Sequence, residues 1–77
     1  MPKAEIRNRI RRLRFDHDEI TQQELADRVN CSRQTIVLLE QERYTPSLAL
    51  AFRIAQSFGE TVDDVFSHES GTEKPHE

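Results

Sequence analysis

The sequence predicts an all-α fold, a compact five-helix bundle in a single domain. Three observations predict it. The chain has 77 residues, enough for one domain and no more. Its apolar residues recur at helical spacing, and nowhere does alternation run long enough to suggest a strand. Capping residues and stop signals cut that spacing into five segments.

The first helix is expected from about Lys3 to Phe15, with Ile6, Ile10 and Leu13 at i, i+4 and i+7 on one face. The acidic run Asp16-His17-Asp18-Glu19 then reads as a loop. Thr21, with Glu24 three residues on, forms a capping box for a second helix over Gln22 to Val29, which buries Leu25, Ala26 and Val29. Asn30 tolerates the left-handed backbone that ends a helix. Ser32 caps a third helix over Arg33 to Gln41. Arg43 to Ser47 is a loop, and Thr45 or Ser47 caps a fourth helix that runs to Phe58 and stops at Gly59. Thr61 with Asp64 starts a short fifth helix over Val62 to Phe66. The folded domain is therefore expected over residues 1–66, and the polar stretch 67–77 as a disordered tail.

Composition narrows the class. One cysteine, Cys31, allows no internal disulfide and suits a reducing, cytoplasmic setting. No stretch approaches the roughly 20 apolar residues of a membrane span, and the N-terminus lacks the apolar run of a signal peptide. Cys31 reads as a small half-buried filler ahead of a redox sensor, since no resolving cysteine exists. His17, His68 and His76 show no metal-ligand spacing. No nucleophile–base arrangement and no glycine-rich phosphate loop can be assembled, so the expected protein is not an enzyme and needs no cofactor.

The net charge is −3, which alone argues against a nucleic-acid partner. Its distribution argues the other way. Met1 to Phe15 holds six basic residues against one acid, whereas Tyr44 to Glu77 holds two basic residues against six acids. Such polarity orients a protein on approach to DNA.

The informative run is Thr21 to Glu40. The gap between the second and third helices leaves room only for a turn of three or four residues, which is helix-turn-helix spacing. Leu25, Val29, Ile36 and Leu39 fill the joint, and small Ala26 lets the helices approach. Arg33, Gln34, Val37, Leu38 and Gln41 then face outward. Arg can bond guanine O6 and N7 together, Gln can bond adenine N6 and N7, and Val37 or Leu38 can touch thymine methyls.

Together with Arg14, Thr21-Gln22, Glu24-Leu25-Ala26, Ser32-Arg33-Gln34-Thr35-Ile36, Leu39-Glu40, Pro46-Ser47-Leu48, Ile54-Ala55 and Phe58-Gly59, this run resembles the Cro/repressor-type helix-turn-helix regulators, the class that includes phage repressors and xenobiotic-response-element regulators. The resemblance covers about Arg7 to Phe66. It implies a lambda-repressor-like DNA-binding fold and double-stranded DNA as partner. It implies that Arg33, Gln34 and Leu38 reach bases, that Gln22, Ser32, Arg43 and Tyr44 hold phosphates, and that Arg14 and Glu40 form a buried ion pair. Three features depart from the pattern: Asn30 and Glu42 stand where glycine is frequent, and the loop from Asp16 to Ile20 is one residue longer than the commonest form.

The fourth and fifth helices carry more apolar surface than so small a core requires. Leu50, Phe52 and Phe66 are therefore expected to pair with a second copy of the chain, giving a homodimer on a palindromic operator. The first reading is a sequence-specific transcriptional regulator, most often a repressor in this family. An antitoxin or a restriction–modification controller uses the same fold. A reading of another class is a protein-interaction module without DNA binding, motivated by the acidic total and the Val37-Leu38 pair.

Overall fold

The computed structural model describes residues 6–68. In chain order the elements are β1 (Ile6–Asn8), α1 (Ile10–Asp16), α2 (Gln22–Val29), α3 (Arg33–Glu40), α4 (Leu48–Ser57), α5 (Val62–Val65) and β2 (Phe66–His68). One core serves all five helices. Ile10 and Leu13 enter it from α1, Leu25, Ala26 and Val29 from α2, Ile36 and Leu39 from α3, and Leu50, Ala51, Ile54 and Ala55 from α4. Val65 from α5, Phe58, Phe66 and the loop residue Ile20 complete it. Burying each large aliphatic side chain stabilises the fold by roughly 1.5–3 kcal/mol. That drive, more than helix propensity, holds helices of four to ten residues in place.

The caps set where the helices begin. Thr21, Ser32, Ser47 and Thr61 each accept a hydrogen bond from a backbone N–H of the first turn. Of the two candidates ahead of α4, Ser47 is the cap, its Oγ 3.1 Å from the Leu50 amide. Gly59 takes a φ of 70° just past Phe58, the left-handed residue that closes the helix.

Two expectations at the chain ends are corrected. Residues 6–8 are a strand rather than the start of α1, and they pair antiparallel with β2, Ile6 opposite His68 and Asn8 opposite Phe66. Ile6 keeps its apolar role, packed against the core from the strand. Its i, i+4 relation to Ile10 imitates a helix. The helix begins at Ile10 because Asn8 Oδ1 accepts the Ile10 amide hydrogen at 3.0 Å and the Arg9 amide donates to Val65 O at 2.9 Å. For the same reason Phe66 leaves α5 for β2, and that strand takes in Ser67 and His68, which the sequence assigns to the tail. Residues 1–5 and 69–77, including the rest of the expected tail, lie outside the described residues. Two boundaries shift slightly: α1 runs on to Asp16, and α3 ends at Glu40 with Gln41 as its cap. No helix among the described residues is long and apolar enough to cross a membrane.

Candidate nucleic-acid interface

The joint between α2 and α3 is built by local chemistry. Thr21 Oγ1 accepts the Glu24 amide at 3.0 Å while Glu24 Oε1 accepts the Thr21 amide at 2.7 Å, so α2 starts at Gln22. Asn30 ends it at φ 60° and ψ 53°, and the Cys31 amide closes onto Ala26 O at 3.0 Å. Ser32 Oγ accepts the Thr35 amide at 3.1 Å and bonds Thr35 Oγ1 at 2.9 Å, which starts α3. The turn is thus Asn30–Cys31–Ser32.

With Ile36 and Leu39 buried, α3 presents Arg33 and Gln34 exposed to solvent, Val37 and Leu38 half-buried beside them, and Gln41 exposed just past its end. The Arg33 and Gln34 side chains make no hydrogen bond to any described residue, so their donors and acceptors stay available.

Behind this face lies the ion pair. Glu40 accepts from Arg14 Nε at 2.7 Å and Arg14 Nη2 at 3.1 Å, a bidentate fork. Arg14 Nη1 also donates to Ile20 O at 2.9 Å, which anchors the loop after α1. The side chains are 17% and 8% exposed. The Gln22 side chain donates from Nε2 to Glu40 Oε1 at 3.1 Å. One carboxylate therefore ties α1, α2 and α3 together and aims Gln22 along the rim, with a second amide hydrogen of Gln22 left to donate.

The far side of α3 is shaped by the turn into α4. Glu42 sits at φ 60°, and its carboxylate bonds Arg7 Nε of β1 at 2.8 Å, so it is drawn toward the sheet and away from Arg43. Arg43 is exposed, its amide bonded to Leu38 O at 3.0 Å, and Tyr44 is exposed next to it. Ser32 is exposed at the N-terminal end of α3, although its hydroxyl already serves the cap. All four expected phosphate positions therefore border the α3 face or its two ends.

The expected dimer residues divide. Leu50 and Phe66 lie in the chain's own core, 5% and 8% exposed, because α4 packs on α2 and α5 and β2 pairs with β1. Phe52 alone of the three is at the surface, 49% exposed, with Leu48 one turn earlier on the same helix also exposed.

Two positions stand out that sequence reasoning passed over. Asn8 Nδ2 donates to Leu39 O at 2.7 Å, so the residue that starts α1 also satisfies a carbonyl at the end of α3. Arg11 walls a hollow of about 380 Å³ with Arg14, Gln22, Val37, Glu40 and Gln41, and a second of about 730 Å³ with the other arginines of α1. The signal for Arg11 was present as a cluster of arginines but carried no direction. Cys31 is half-buried against the core. Burial pushes its thiol pKa up, against a smaller pull from the Arg53 guanidinium, so the site favours the thiol over the thiolate.

Comparison with known proteins agrees with this geometry. A family model described as helix-turn-helix matches residues 10–65. An uncharacterised HTH-type transcriptional regulator of Methanocaldococcus jannaschii is 42% identical over 64 residues, covering 83% of this chain and 96% of that protein. Another uncharacterised HTH-type transcriptional regulator, from Archaeoglobus fulgidus, is 46% identical over 61 residues, covering 79% of this chain and 84% of its own. Among solved structures, a candidate DNA-binding protein from Bacteroides fragilis superposes with a TM-score of 0.69 at 21% identity, covering 80% of this chain and 98% of that one. At that identity the likeness concerns the fold alone.

Proposed function

This chain belongs to the Cro/repressor-type helix-turn-helix family of transcriptional regulators, and from that premise we propose that it is a sequence-specific repressor, acting in the cytoplasm as a homodimer on a palindromic site in double-stranded DNA. The observation that carries the reading is the α3 face. Arg33 and Gln34 stand exposed and unbonded among the described residues, on a helix whose opposite side is locked into the core. A rigid helix with free bidentate donors and acceptors is what a major groove reads.

In this reading Arg33 and Gln34 contact base edges, and Val37 and Leu38 add apolar contact. Gln22, Ser32, Arg43 and Tyr44 hold phosphates on the two flanks of the groove. Arg14 and Glu40 keep the helices in register. Two-fold symmetry would set the recognition helices about 34 Å apart, one helical turn of DNA.

Selection of bound sequences from a random duplex pool tests all of this together. Enrichment of a two-fold symmetric site with half-sites about one helical turn apart supports the proposal. Enrichment of a single half-site removes the homodimer on a palindrome, and no enrichment removes sequence-specific recognition.

A further inference from the structure

We infer that Arg11 is a phosphate anchor, and that the hollow it shares with α3 receives a backbone phosphate of duplex DNA on the flank of the groove the helix enters. The inference rests on the DNA-binding reading above and adds a contact to it.

Among the arginines of α1 and its cap, Arg14 is bound to Glu40 and Ile20 O, Arg12 to Asp16 at 3.2 Å, and Arg9 donates to Asp64 O at 2.8 Å. Arg11 is exposed and has no such bond among the described residues. Its five donors are therefore unspent.

The smaller hollow is shared with Val37 and Gln41, which lie at the recognition face, and with Gln22 at the start of α2. A helix seated in a major groove has one phosphate strand passing on each side of it. The hollow of Arg11 borders Val37 and Gln41 of the recognition face, and in it the Gln22 side chain keeps an amide hydrogen to donate. Glu40 is the acid in that wall, and its charge is met by the Arg14 fork, so an incoming phosphate is not opposed by an unpaired carboxylate. The larger hollow continues from Arg11 along Arg9, Arg12 and Arg14, with Asn8, Phe15 and Glu19 also in its lining. Four arginines against one carboxylate keep that lining net basic, which matters in a chain of net charge −3.

The chemistry of the contact predicts its signature. A phosphate contact adds affinity without sequence information and releases counterions, worth about 0.9 in the slope of log affinity against log salt for each phosphate. The test measures binding of the full chain to its selected site and to random duplex across a salt series. Arg11→Ala is expected to weaken both DNAs by a similar factor and to flatten the slope by about one for each protomer. Arg11→Lys keeps the charge and is expected to restore most of the slope. Arg28→Ala removes an exposed cation that borders neither hollow and is expected to leave the slope unchanged. Ethylating single phosphates of the site maps the partner: one flanking phosphate should block wild type when ethylated and make no difference to Arg11→Ala. Arg11→Ala with unchanged affinity and slope overturns the assignment while leaving DNA binding intact. A loss confined to the selected site also overturns it, by making Arg11 a base reader. Wild type that binds no duplex at low salt removes the DNA-binding reading and this contact with it.

Discussion

Asn30 and Glu42 carry left-handed backbone, each at φ 60°, where glycine would bear none of the steric cost. Asn is the side chain best suited to that conformation, so Asn30→Ala is expected to cost about 1 kcal/mol in chemical denaturation and Asn30→Gly close to nothing. Glu42 is held there by Arg7, so replacing it with glycine exchanges strain for a lost ion pair. Base reading is also a matter of single residues. Arg33→Ala should cost roughly 1–3 kcal/mol on the selected site and broaden base preference at one position. Gln22→Ala should weaken all sequences alike; binding measured on selected and random duplexes separates the two patterns. Glu40 lies at the junction of both roles. Glu40→Ala leaves Arg14 unpaired and is expected to cost about 3 kcal/mol of stability, the low end for a buried pair because Arg14 keeps some water. Replacing both partners with apolar residues of similar size should cost less than that single change, since no orphan charge remains.

Between residues and the whole stand the junctions of elements. Asn8 joins α1 to α3 through two hydrogen bonds, to the Ile10 amide and to Leu39 O. Asn8→Ala is expected to lower stability by about 1–3 kcal/mol and to loosen the end of the recognition helix, seen as faster amide exchange there. Arg53 Nε donates to Val29 O at 2.9 Å, placing a cation at the C-terminus of α2 from α4. The cap of α5 supplies a pH signature. Asp64 accepts from the Thr61 hydroxyl at 2.8 Å and from the Thr61 amide, and these bonds hold its pKa below the ordinary carboxylate value. A lowered pKa means the folded state favours the ionised acid. The resulting stability is complete above the ordinary value and is lost as pH falls through the lowered one. The gap in thermal midpoint between wild type and Thr61→Ala should therefore be full at neutral pH and shrink on acidification.

At the scale of the molecule, a chain this short buries only about 60% of its unfolded surface, so a second copy has much to add. If it does, the thermal midpoint rises with protein concentration. Phe52→Glu changes a half-exposed side chain and should abolish that dependence while leaving the dilute midpoint nearly unchanged. A concentration dependence that survives Phe52→Glu would place the interface elsewhere. Leu50 and Phe66 give no clean test, because their replacement opens the core itself; Phe66→Ala should cost about 3–5 kcal/mol in the isolated chain.

The sequence by itself determined the helix-turn-helix from Thr21 to Glu40 and its outward face. Its signals are local: a capping box, an asparagine stop, a serine cap and apolar spacing within two short helices, all acting over a few residues. The ion pair of Arg14 with Glu40 was legible only through family resemblance, since spacing along the chain cannot bring α1 to α3. What tertiary structure alone decided is non-local. The pairing of residues 6–8 with 66–68 joins opposite ends of the described chain, and each strand is too short to show alternation. Ile6 satisfies a helical pattern and a strand's inner face equally well, and only a partner strand chooses between them. The same holds for Leu50 and Phe66. Apolar content says that a side chain will be covered, and packing decides whether the cover is the chain's own core or another copy.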